Sequence, residues 1–395
     1  MVFWLMPVHP TVFSQLTVSL YQAEFARCAD LFPMPRRSRS FSAYDHFLAL
    51  CFGQLTYRES LRDIVACLTS RPQMQYHLGF RGRLTRTNFA YGNEHRDWRV
   101  FASVAEILIR RARHLYQESA PDPDFPEVAL ALDSSIIHLS VKIFPWAYWG
   151  RSRAGALKLH TLLSFSGNLP AWSAITEATI PDVKMLDLIP VEPGAYYVMD
   201  RAYLDFRRLN KLHQAGAKFV VRNKRHVKFY VAQSSPVDKA CGLRCDQRIR
   251  INSEDSKNLY RSCLRRIHFR DPQENRSLVF LTNDFDLPAS VICELYKRRW
   301  QVELFFKWIK QHLRIRNFFG HSANAVQCQI WSAICAYLLV AIAKKRLGVD
   351  RSLYEILQIV SISALEQIPL TELLSTTSDR VNKPDVVNPS FLLAF

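Results

Sequence analysis

The sequence predicts an α/β protein with a strand-rich middle between helical ends. Residues 1–120 space their apolar side chains as helices do, and residues 128–282 carry short apolar runs punctuated by turn residues. Helical spacing returns from about Val291. With 395 residues the chain can hold two or three domains, each with its own core.

In chain order, Phe41 to Phe52, Glu59 to Leu68 and Asp97 to Arg113 read as helices. The short helices near Arg58, Arg62 and Arg71 are candidates for a helix-turn-helix, a pattern that small helical bundles share. Pro121 to Pro126 is linker-like in composition and marks a boundary after a helical domain at 1–120. Val128 to Leu132 is a short apolar strand ending in Asp133. Leu157 to Phe165 and Leu169 to Thr176, separated by Gly167-Asn168, predict a hairpin. Pro181 to Leu188 reads as helical, Ala195 to Met199 is a strand ending in Asp200, and Leu204 to Ala215 is a helix closed by Gly216. Strands follow at Phe219–Arg222, Val227–Val231, Ile249–Ile251, Arg265–His268 and Leu278–Thr282. One long helix is predicted from Val291 to about Arg316, then C-terminal helices and a polar tail from about Thr376. The run from Ile330 to Ala343 is apolar over about 14 residues, shorter than the roughly 20 that span a bilayer, and reads as a core helix.

Charge is distributed unevenly. The formal net charge is +17, and residues 201–319 hold 26 basic and 11 acidic side chains, so most of the excess lies there. Residues 1–120 contribute 15 Arg, no Lys and 9 acids. A basic load concentrated in this way favours a polyanion, with nucleic acid first among the candidates. Nine cysteines without regular spacing argue against a disulfide framework, and Cys241-x3-Cys245 lacks the second ligand pair that a structural zinc site needs. Met1 to Met6 is apolar but has neither a basic leader nor a cleavage site, so a cytoplasmic location is expected.

The long helix carries the densest information. At about 100° per residue, Tyr296, Arg299, Glu303 and Lys310 share an arc of roughly 60°. Val291, Leu295, Val302, Phe306, Ile309 and Leu313 form a core-facing stripe beside it. Asp133 and Asp200 each follow an apolar strand, 67 residues apart, and Glu303 lies 103 residues further on. Either Asp alone is more readily a turn or cap residue. Carboxylates brought together repel unless a cation neutralises them, and oxygen donors select Mg²⁺. Two such ions can activate a water and stabilise the leaving oxygen of a phosphodiester.

Asp133, Asp200 and Glu303, with the Tyr296/Arg299/Glu303/Lys310 spacing, resemble the DDE transposases of bacterial insertion sequences, and within them the insertion-sequence-four family with its YREK helix. Leu157-Lys-Leu-His160-Thr, Val198-Met-Asp200-Arg-Ala-Tyr203 and Phe280-Leu-Thr282-Asn283 resemble that family's strand blocks. The resemblance implies an RNase H-like mixed-sheet catalytic core at 127–345 with a basic β-rich insertion at about 205–290, and a helical region and tail at 346–395. It implies that Asp133, Asp200 and Glu303 are catalytic and hold Mg²⁺ or Mn²⁺, with two ions expected. It further implies that Tyr296, Arg299 and Lys310 contact DNA phosphates, that Trp300 is a candidate contact for a flipped base, and that the protein dimerises on double-stranded DNA. A catalytically inactive DNA-binding relative and an RNase H-like nuclease are the alternatives.

Overall fold

The computed structural model describes residues 10–34, 40–117, 125–147, 155–254, 256–271, 275–312 and 318–375. The polar tail from Thr376, most of the linker and Leu313 of the apolar stripe lie outside the described residues. Among the described residues, nine strands form one mixed sheet: β1 (Ala129–Leu139), β2 (Gly155–Ser164), β3 (Leu169–Glu177), β4 (Tyr196–Met199), β5 (Lys218–Arg222), β6 (Phe229–Ser235), β7 (Leu243–Ile251), β8 (Leu264–Arg270) and β9 (Ser277–Thr282). Their order is β3-β2-β1-β4-β5-β9-β8-β7-β6. β1, β4 and β5 run parallel, while β2 and β3 extend one side and β9 to β6 the other as antiparallel strands. The expected mixed α/β architecture is therefore present, with the basic strands added to the edge beyond β5 as a continuation of the same sheet.

β1 runs past the expected end of its apolar stretch. It continues through Asp133-Ser-Ser to Leu139 because residues 133–139 keep a full antiparallel partner in β2, from Thr161 back to Gly155. Asp133 therefore sits inside a strand, whereas Asp200 immediately follows β4. The long helix also departs from expectation. It is two segments, α9 (Ala289–Arg298) and α10 (Trp300–His312), with Arg299 between them. There the ladder tightens: Arg299 N–H donates to the Tyr296 carbonyl and Val302 N–H to the Arg299 carbonyl, both three residues back. Such a tight turn within a helix changes the direction of one side chain relative to its neighbours.

The remaining α-helices among the described residues are α1 (Val12–Thr17), α2 (Gln22–Leu31), α3 (Ala43–Leu55), α4 (Leu61–Thr69), α5 (Pro72–His77), α6 (Arg86–His95), α7 (Arg99–Gln117), α8 (Phe206–Gln214), α11 (Ala323–Leu347), α12 (Leu353–Ser363) and α13 (Leu370–Ser375). α11 starts at the Ser322 cap and stops at Gly348, which takes the left-handed conformation. It is apolar on every side, long enough to cross a membrane, and 94% of its most apolar window is buried in the protein. Phe47, Leu50, Phe101 and Leu108 of α3 and α7 meet Ile334, Leu338 and Ile342 of α11 in an apolar core shared with Val302, Phe306 and Ile309 of α10. Leu157 and Leu159 of β2 join the same core. α11 and the sheet thus hold α10 from two sides.

The β2–β3 turn locks these parts together. Gly167 and Asn168 both have positive φ, Tyr337 of α11 donates its hydroxyl hydrogen to the Asn168 carbonyl at 2.9 Å, and the Tyr116 ring of α7 lies against Gly167. A Cβ on Gly167 runs into the Tyr116 ring, so Gly167→Ala combines a strained φ with a clash. A loss of about 2–3 kcal/mol is expected, the range for an overpacked site with added backbone strain. Urea unfolding of the purified variant checks it.

Candidate active site

Strand register brings the first two acids together. Leu132 of β1 lies opposite Met199 of parallel β4, so the next position on each strand is an aspartate, Asp133 and Asp200. Leu132 and Met199 both pack into the core on one face of the sheet. Alternation sends the aspartates to the other face. That face is covered by α9 and α10: Ala131 shares a core with Val302, Phe305 and Phe306, and Val198 shares one with Ile292, Leu295 and Tyr296. Glu303 descends from α10 onto the same spot, where a cleft of about 570 Å³ is lined by Asp133, Ser134, Ser135, Asp200, Arg299, Glu303, Phe306, Lys307, Lys310 and Gln311.

Arg299 organises the cleft. One guanidinium nitrogen donates to Asp133 Oδ2 at 2.6 Å and the other to Glu303 Oε1 at 2.8 Å, while the Arg299 side chain is only 15% exposed. Its buried Nε has no hydrogen-bond partner among the described residues. Asp133 Oδ1 accepts from the Ser134 backbone N–H at 2.8 Å. Asp200 caps the short 3-10 turn Arg201–Tyr203, its Oδ1 accepting from Ala202 N–H at 2.7 Å. Burial pushes the Asp133 carboxyl up to about 6. The Arg299 guanidinium and the Ser134 N–H oppose that rise, and Asp200 and Glu303 add to it. The raised value has a thermodynamic consequence. A carboxyl whose folded value exceeds its unfolded one of 3.8 stabilises the fold below that unfolded value, and this contribution is lost as pH rises through about 6. Melting of the metal-free protein is expected to weaken between pH 4 and 6, and Asp133→Asn to flatten that slope, which differential scanning calorimetry checks.

The other residues read from the helix fall in different places. Tyr296 is 8% exposed and packs on Phe280, ring centroids 4.5 Å apart, with the Arg299 guanidinium 5.7 Å from its own ring. Burial raises its phenol. Lys310 lines the cleft. Trp300 is 58% exposed and Leu304, one turn on, is 50% exposed, so neither is consumed by packing. Lys307 and Gln311 line the cleft but escape the reading from sequence. Lys307 stands four residues after Glu303 and three before Lys310, and that spacing was the available signal.

The donor set suits a hard divalent cation: three carboxylates face one polar cleft, and among the described residues that line it there is no thiol or imidazole. Among the described residues no three acids already stand at ion-holding separation. A guanidinium lies between two of the acids instead, satisfying their charge where an ion of like sign fits.

Comparison with known proteins agrees with the geometry. A family model described as "Transposase DDE domain" matches residues 124–339, and one described as a domain of unknown function matches residues 8–81. The chain is 31% identical over 263 residues to a putative transposase, y4zB, of Sinorhizobium fredii, covering 66% of this chain and 70% of that one. It is 29% identical over 218 residues to a probable transposase for insertion sequence element IS5377 of Geobacillus stearothermophilus, covering 55% of this chain and 56% of the relative. A putative transposase for insertion sequence element IS4SA of Synechocystis is 26% identical over 282 residues, covering 69% and 76%. The matched family region begins just before β1, ends within α11 and so encloses Asp133, Asp200 and Glu303: this chain belongs to the DDE-domain transposases of insertion sequences.

Proposed function

We propose that the chain is an active transposase of the YREK group, which binds its element's terminal inverted repeats, hydrolyses a phosphodiester to free a 3′-hydroxyl, and joins that end to target DNA. The observation that carries this reading is the convergence of three acids, remote in sequence, on one cleft rimmed by Arg299, Lys307 and Lys310. Asp133, Asp200 and Glu303 hold Mg²⁺ or Mn²⁺. When bound, the ions supply an activated water and charge stabilisation at the leaving oxygen.

The chain's own groups do the rest. Lys307 and Lys310 grip the backbone on either side of the attacked phosphate. Arg299, the internal counter-ion of Asp133 and Glu303 in the DNA-free protein, exchanges those carboxylates for a phosphate, and its unpartnered Nε supplies a further donor. Tyr296 packs beneath Arg299 and sets its direction, acting on the phosphate through it. The exposed Trp300 ring is available to stack on an unpaired base. The basic strands β6 to β8 and the arginine-rich N-terminal helices extend the phosphate-binding surface, and two protomers act together across paired ends.

The test is cleavage of DNA spanning the inverted repeats that flank the gene, with and without Mg²⁺. Cutting confined to the repeat ends and dependent on the ion is expected; indiscriminate nicking of unrelated DNA assigns a nuclease instead.

A further inference from the structure

On the face of the sheet opposite the cleft, directly behind Asp133, lies a polar cluster that the chemistry above does not use. Asp182, at the start of the 3-10 helix Asp182–Asp187, receives three neighbours on one oxygen. Its Oδ1 accepts from Ser134 Oγ at 2.9 Å, lies 3.0 Å from Lys158 Nζ and stands 3.8 Å from His160 Nδ1. Lys158 also donates to the Ile180 carbonyl at 2.9 Å, and the wholly buried His160 bonds Thr176 Oγ1 through Nε2 at 2.8 Å. Burial drives His160 down to about 4, so the ring is neutral near pH 7. The buried Tyr203 hydroxyl comes from the turn that Asp200 caps and is flanked by Asp133, Asp182 and Asp200.

Register explains the convergence. His160 lies directly opposite Ser134 across the β1–β2 pair, and Lys158 lies two residues away on the same face. A partly shielded ion pair, its side chains 13% and 24% exposed, adds little to stability by itself. Its presence is understandable if it orients something. Ser134 connects the two sides: its hydroxyl is tied to Asp182 while its backbone N–H holds Asp133 Oδ1 at 2.8 Å.

We infer that Asp182, held by Lys158, is a positioning residue that fixes Ser134 and through it the rotamer of Asp133 for the cation. Groups that orient metal-binding side chains from behind commonly change metal affinity 10–100-fold when removed. The inference rests on the metal-holding role proposed for Asp133, and the experiment separates the two. Mn²⁺ retention by the DNA-free full chain is measured by electron paramagnetic resonance for the wild type, Asp133→Asn, Asp182→Asn, Ser134→Ala and Ser134→Thr, with thermal melting in parallel.

Asp133→Asn is expected to lose Mn²⁺. Asp182→Asn is expected to weaken it about 10-fold with a melting temperature near the wild type. Ser134→Ala weakens it several-fold, and Ser134→Thr, which keeps the hydroxyl, restores it. If Asp133→Asn loses Mn²⁺ while Asp182→Asn and Ser134→Ala bind as the wild type does, the positioning role is wrong and the metal reading stands. If Asp133→Asn binds as the wild type does, the metal reading fails and takes this inference with it. Should Asp182→Asn fail to fold, the Ser134 pair decides alone, because removing one hydroxyl from a strand leaves the core intact.

Discussion

Replacing Glu303 by Gln is expected to abolish strand cleavage, by three orders of magnitude or more, while element-end binding stays within a few-fold of the wild type. Glutamine keeps the length of the side chain and one carbonyl oxygen to accept from Arg299, now at 2.8 Å from Glu303 Oε1. What it loses is a negative charge and an anionic oxygen donor, the properties a hard divalent cation requires. Activation of water and stabilisation of the leaving oxygen depend on that cation, so the chemical step suffers most. Binding depends on cations meeting phosphates, and removing one acid from a basic cleft does not reduce it. Gel-shift and strand-cleavage assays on the same end DNA separate the effects. Intact cleavage by the variant refutes the assignment of Glu303.

Arg299→Ala is expected to act in opposite directions on the two ligands. In the DNA-free protein, Asp133 and Glu303 lose the guanidinium that bridges them at 2.6 and 2.8 Å. Two carboxylates in a shielded cleft without a counter-ion attract a divalent cation more strongly, and Mn²⁺ affinity is expected to rise about 10-fold, the scale of one lost competing charge at short range. Complexes with cleaved ends should weaken at low salt, and their salt dependence should flatten by about one phosphate contact. Mn²⁺ titration without DNA and end binding across a salt series check both halves. Unchanged Mn²⁺ affinity would show that the guanidinium does not compete for the cation.

The apolar stripe and the charged row of α9–α10 were legible because helical periodicity is a local property. Leu295, Val302, Phe306 and Ile309 are buried as expected. The hairpin at Gly167-Asn168 was legible for the same kind of reason, since turn chemistry lies within a few residues. The extent of β1 was not. Ser134 and Ser135 interrupt the apolar run, and only the partner strand β2, more than twenty residues away, keeps the backbone extended through Asp133. The break at Arg299 was equally hidden, because a regular wheel assumes one uninterrupted ladder.

The sequence alone carries the alternation of helix and strand, the place where positive charge gathers, and the three acids and the arginine that line the cleft. Only the tertiary structure decided that Leu132 meets Met199 in parallel register, that Arg299 spans two of those acids, and that Ser134 is held from behind by Asp182. The division has a physical cause. Periodicity and turn chemistry depend on neighbours along the chain, whereas register and charge pairing depend on strands and helices that meet only after loops of many residues close.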